Sequence, residues 1–298
     1  LAKKRSLSWD EQLALLRQRK LAIADEGTCK AFLAAENYYR FAGYARYFQK
    51  APHDDDNDFL PGVTFDQIRA LYDADEELRK ILSGHLAYAE ILLRSHTAYV
   101  IAHAYGPRGR YLDSSFYSNT PNMEPTVESL FRDIRRSKER HILRFSTSNE
   151  NELFAERPIW SAVDAWSFGT LSKCIQRGDT GALANQVADS IGVAQAGFAY
   201  RVRTLVYLRN RCAHHSRLWH HSVVDSGPTP ANVRRKAKKI AGQFEHRSVL
   251  DAIVSLDDIV ERRRQATPLL PTLVTRYKRQ ADLWAGLSAP RSPRDHTP

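Results

Sequence analysis

Arg209, Asn210 and His214 fall within six residues of one another in the run Arg209-Asn210-Arg211-Cys212-Ala213-His214-His215-Ser216-Arg217-Leu218-Trp219. The run therefore gathers a guanidinium, an amide and an imidazole. A guanidinium can hold two phosphate oxygens at once, and an imidazole, with a reference pKa of about 6.5, can move a proton at neutral pH. Plainer uses compete. His214 and His215 could cap the C-terminus of the helix that delivers them, where the dipole favours imidazolium. With His220 and His221 they could instead bind a transition metal. An Arg followed at i+5 by a His is a common pattern, so its setting has to decide. Here it ends a hydrophobic helix (Phe198, Val202, Leu205, Val206), beside a second His, two more arginines and a Trp.

Other chemistries lack their signatures. The chain has no GxxxxGK[ST] phosphate loop, no GxGxxG, no HExxH and no GxSxG elbow. Its three cysteines, Cys29, Cys174 and Cys212, are too far apart for a CxxC-type zinc site and odd in number, so they suggest no disulfide framework. Cys212 reads as a packing residue. No metal or other cofactor is expected. The 44 Lys and Arg against 34 Asp and Glu give a net charge of +10 and point to a polyanionic partner. That excess lies entirely beyond residue 90: residues 1–90 carry net −2 and residues 91–298 net +12. No segment reaches 18 consecutive apolar residues, so the reading is a soluble, cytoplasmic protein without a membrane partner.

The elements that must position the run read as helices throughout. Ser8-Trp9-Asp10-Glu11 has the form of a capping box. A second helix is expected over about residues 29–49, followed by an acidic loop, His53 to Asp58. From Thr64 to Gly106-Pro107 the apolar spacing fits two helices, or one broken near Tyr72 to Asp75. Arg132, Arg136, Arg140 and Arg144 recur every four residues and would make a cationic stripe about three turns long, either a solvated face or a phosphate track. Further basic residues cluster at Arg234, Arg235, Lys236, Lys238 and Lys239, and the end from Ser288 reads as disordered. With no strand series, the expected fold is all-α. It divides into an N-terminal helical segment (1–60), a helical domain carrying the motif (61–265) and a partly disordered extension (266–298). On an unbroken helix Arg209 and His214 would lie about 7.5 Å apart along the axis and about 140° around it. Either the helix loosens near Cys212 and Ala213, or the site needs a second motif.

The Arg-Asn-x-x-x-His run resembles that of the HEPN superfamily, helical domains whose Arg-x4-6-His motif forms a metal-independent ribonuclease site. Beyond it, Glu11 to Arg19, Asn37 to Tyr44, Leu71 to Asp75 with Leu78-Arg79, Glu90 with Arg94, Pro158-Ile159-Trp160 with Phe168-Gly169, and Arg209 to Trp219 resemble, in order, the Abi family of bacterial abortive-infection proteins, of the AbiD and AbiF type. The departures are Lys20 where the family suggests Gly, Ala74 where it suggests an aromatic, and His220 where it suggests Asn.

The resemblance implies a HEPN-like helical bundle and an RNA endonuclease that acts as a toxin-like effector in antiphage defence. A ribose 2′-OH would attack the adjacent phosphate. Arg209 would stabilise the charge that develops, His214 would transfer the proton, and Asn210 would orient the His or bind phosphate. His215, Glu90 and Arg94 would support the site; as residues, Glu90 and Arg94 make an ordinary i,i+4 pair. Arg132, Arg136, Arg140, Arg144, Arg211 and Arg217 are the candidate RNA contacts. HEPN sites are usually composed of two facing motifs, which implies a homodimer. The alternative is a non-catalytic RNA-binding or interaction protein, or a toxin held by a cognate RNA or protein antitoxin.

Overall fold

The computed structural model describes residues 5–145, 156–224, 226–262 and 267–294. Ser8 opens α1 (Trp9–Gln18), and the reciprocal bonds of a capping box with Glu11 are both made. The helix expected from residue 29 is two. α2 (Glu26–Glu36) stops at Asn37, whose φ of 67° no helix accommodates, and the Asn37 side chain then accepts the Tyr39 amide to start α3 (Tyr38–Ala45). The acidic stretch forms the turn and second strand of a short antiparallel hairpin, β1 (Gln49–Ala51) with β2 (Asp56–Phe59). Lys20 and Lys50 both pair with Asp58 there, which offsets the like-charge repulsion.

The long run is one unbroken helix, α4 (Phe65–Tyr105), capped by Thr64 and ended by Gly106 at φ 87°. No Gly or Pro interrupts Tyr72 to Asp75, and Asp75 lies on the same buried seam as Leu71, Leu78, Leu82 and Leu86. Its charge is met on the next turn by Arg79, so the helix continues where a break was expected.

Around α4 follow α5 (Thr126–Arg136), α6 (Arg140–Leu143), α7 (Ile159–Ala165), α8 (Phe168–Arg177), α9 (Ala182–Ile191), α10 (Phe198–Ala213), α11 (Ala231–Ala241), α12 (Val249–Glu261), α13 (Leu269–Tyr277) and α14 (Ala281–Ser288). The fold is all-α apart from the hairpin. α4 is its axis and packs against α3, α7, α9, α10, α12 and α14. One buried cluster runs from Leu13 to Leu287. The end of the chain is engaged: the Tyr47 hydroxyl donates to the Arg291 carbonyl, and Arg291 pairs with Glu245. Of the extension read as disordered, residues 295–298 lie outside the described residues.

The cationic stripe is not one helix face. α5 ends at Arg136, and Ser137 and Glu139 are both extended before α6 begins. The four-residue spacing therefore crosses a break, Arg132 is occupied by Glu124, and Arg144 lies over the Phe145 ring.

Candidate active site at the end of α10

α10 is held in place by a buried charge. Arg201, fully enclosed, donates to Asp258 at 2.7 Å and to the Ser255 hydroxyl at 2.9 Å, which ties α10 to α12. Burial lowers the Arg201 pKa against the opposing pull of Asp258. With its first half fixed in this way, the helix carries its last two turns past α4 and α8.

Arg209 emerges there with its side chain 33% exposed. Its guanidinium lies over the Phe168 ring at 5.7 Å, and its Nε is 3.8 Å from Glu90 of α4. Glu90 is shared: its other oxygen accepts from Arg94 at 2.5 Å, and Arg94 donates in turn to the carbonyls of Val163, Asp164 and Trp166 at the end of α7. The i,i+4 pair thus reaches the motif, and one carboxylate stands between two arginines. The other motif arginines are used internally. Arg211 donates to the Arg217 carbonyl, while Arg217 donates to the Gly43 carbonyl and lies between the Tyr44 and Tyr47 rings of the N-terminal segment. Of Arg201, Arg209, Arg211 and Arg217, Arg209 is the one that donates no hydrogen bond among the described residues, so its Nη groups are open to a ligand.

α10 runs regularly through Cys212 and Ala213, so the loosening considered for that point does not occur. His214 is the C-cap and donates its amide to the Asn210 carbonyl at 2.9 Å. His215 then turns left-handed, at φ 53°. Its amide reaches the Cys212 carbonyl and that of Ser216 reaches Arg211, the paired bonds of a Schellman closure. Glycine usually takes that left-handed place. Asn210, His214 and His215 are exposed. Because the helix keeps its phase up to the cap, Arg209 and His214 leave it on different sides.

Residues that the sequence offered only for the family likeness, with no site role, hold the segment that follows. Asp75, fully buried, accepts the Leu218 amide at 3.1 Å and the Trp219 amide at 3.0 Å, together with the Tyr44 hydroxyl and Arg79, each at 2.5 Å. Burial raises the Asp75 carboxyl, and Arg79, Tyr44 and the two amides oppose that rise. Arg40 of α3 donates to the His215 carbonyl at 2.8 Å. The signal for Asp75 was available: an acid on an apolar seam with an arginine four residues on marks a buried pair.

The other two histidines weighed as metal ligands have partners of their own. His220 stacks on Tyr47 at 4.5 Å, and His221 stacks on Tyr207 while bonding its hydroxyl at 2.6 Å. Burial, reinforced by nearby arginines, pushes both down to about 4. Among the described residues no three His, Cys, Asp or Glu side chains come together as a metal site. The Cys212 thiol is buried and pushed up to about 12, as suits packing rather than reaction. No helix among the described residues is long and apolar enough to cross a membrane.

Fold and site together define an all-α protein that presents a partly exposed Arg-Asn-x-x-x-His run at a helix end, its arginine beside a carboxylate from the central helix. The family model of Abi-like proteins matches residues 31–220, from within α2 to just past Trp219, and the chain belongs to that family of abortive-infection proteins. No curated protein and no solved structure matches it.

Proposed function

We propose that the protein is a metal-independent endoribonuclease of the HEPN type, acting as a toxin-like abortive-infection effector. The observation that carries this reading is Arg209: a side chain one-third exposed, its Nε toward Glu90 at 3.8 Å and its Nη groups open, beside the exposed Asn210 and His214. In the proposed reaction the ribose 2′-oxygen bonds to the adjacent phosphorus and the bond from phosphorus to the 5′-oxygen breaks. Arg209 holds the oxygens that gain charge. An imidazole takes the 2′-proton, and an imidazolium returns a proton to the leaving oxygen. Since Arg209 and His214 leave one helix on different sides, a homodimer with facing motifs would complete the site and supply two histidines, one as base and one as acid.

RNA would be held on α11, where the exposed Arg235 and Lys239 line a cleft of about 470 Å³ with Lys238, Gln243 and His246, and Lys236 is exposed on the same helix. That face is continuous, unlike the interrupted stripe at Arg132 to Arg144. The test uses purified wild type, Arg209→Ala and His214→Ala on cellular RNA. Cleavage leaving cyclic phosphate ends, insensitive to EDTA and lost in both variants with unchanged circular dichroism, supports the reading. Cleavage that survives either substitution, or that needs a metal, overturns it.

A further inference from the structure

A cleft of the N-terminal segment lies between α1, α2, α3 and the hairpin, with a volume of about 970 Å³. Its floor is polar in an unusual way. Gln49 on β1 is only 4% exposed and lines the cleft, yet its side-chain oxygen has no hydrogen-bond donor. Gln12 on α1 repeats the pattern: its amide nitrogen donates to the Leu7 carbonyl at 3.0 Å, and its buried oxygen is unsatisfied. A buried amide oxygen without a donor costs roughly 1–3 kcal/mol, so two at one cleft are a cost that a ligand bearing N–H groups would relieve.

The rim has a different character. Tyr39 is 75% exposed and Trp9 53%, which leaves two flat aromatic surfaces open. Arg19 and Arg46 line the same cleft with Asp55, and Arg5, also there, is paired with Glu11 at 2.8 Å. Arg19 donates to the Tyr38 hydroxyl and Arg46 to the Pro52 carbonyl, so each is anchored with its charge uncancelled by that bond. Acceptors at the floor, aromatic faces at the rim and fixed cations beside them suit one ligand class: a planar base with N–H groups, joined to a phosphate.

We propose that this cleft binds a nucleoside monophosphate unit, with the base directed to Gln12 and Gln49 and the phosphate to the arginines. The unit could be a free nucleotide or an unstacked nucleotide of a single strand. The site stands whether or not Arg209 and His214 cleave RNA.

The test is calorimetric titration of the full chain with adenosine 5′-monophosphate, ribose 5-phosphate and a single-stranded hexanucleotide of RNA. Adenosine monophosphate should bind, and ribose 5-phosphate, which lacks the base, should bind at least about tenfold more weakly. Gln49→Leu should lose about tenfold in nucleotide affinity while melting no lower than wild type, because it removes an unsatisfied buried oxygen. Arg46→Ala, on the surface, should weaken binding by a similar factor. A hexanucleotide that binds more tightly than the monophosphate, and loses that advantage in both variants, identifies a strand as the source; equal affinity identifies the free nucleotide. The proposal is overturned if neither probe binds, if ribose 5-phosphate binds as well as the nucleotide, or if both variants bind like wild type.

Discussion

Asp75 and Trp219 meet through a single hydrogen bond, the Trp219 amide to the Asp75 carboxylate at 3.0 Å, and it fixes the chain just beyond the motif to the central helix. The carboxylate also serves Arg79, Tyr44 and Leu218, so Asp75→Asn would remove the charge from a fully packed cluster. Removing one partner of a buried pair costs about 3–5 kcal/mol. Urea denaturation should show a loss of that order, and a loss below about 1 kcal/mol would mean that the cluster is not what holds residues 216–219.

Glu90→Gln keeps the shape of the side chain and removes the charge shared by Arg94 and Arg209. Arg94 retains three backbone carbonyls, so the fold should stay intact by circular dichroism. If Arg209 works as proposed, kcat for RNA cleavage should fall about tenfold, about 1.4 kcal/mol, with little change in KM. A rise in KM alone would make Glu90 a contributor to binding only.

His215 occupies a left-handed position that a side chain disfavours by roughly 1 kcal/mol relative to glycine. His215→Gly should therefore raise the urea midpoint by an amount corresponding to about 1 kcal/mol, since the Schellman bonds and the Arg40 contact involve backbone atoms. A lower midpoint would show that the imidazole itself stabilises the turn.

His220 and His221 have folded pKa values near 4, below the ordinary histidine value, so the folded state binds fewer protons than the unfolded state between about pH 6.5 and 4. Their contribution to stability is complete above pH 6.5 and is lost as pH falls toward 4. Asp257, raised to about 6 mainly by burial, acts in the opposite sense over much of that range. Melting His221→Gln beside wild type isolates the histidine: the variant should lose less stability between pH 6.5 and 4. Parallel curves would refute the shift.

The helical character and the Glu90–Arg94 pair were legible, because apolar spacing and i,i+4 pairs are local signals, whereas the reach of Glu90 to Arg209 was suggested by the family resemblance alone. Two family departures gain a physical meaning only in three dimensions. Lys20 stands where glycine was suggested and His220 where asparagine was, and both have positive φ, 68° and 50°, the conformation those two residues tolerate best. The stripe from Arg132 to Arg144 misled because spacing alone does not reveal that the backbone extends at Ser137. The hairpin was missed because strands of three and four residues are too short to show alternation. What Arg217 and Asp75 hold was not readable either, since their partners lie far away in the chain.

That distance sets an order of events. The bonds from Arg40 to His215, Arg217 to Gly43 and Asp75 to Trp219 span 175, 174 and 144 residues, and Trp219 also donates to the Asp282 carbonyl while Gly286 packs against its ring. Contacts of such long range form late, because the intervening chain must first be made and its ends brought together. A chain emerging from the ribosome therefore holds the Arg209 to His214 run without the contacts of Asp282 and Gly286 at Trp219 until that segment has followed it out. The segment just beyond the motif thus gains its full set of contacts only once residues 282–286 have been made.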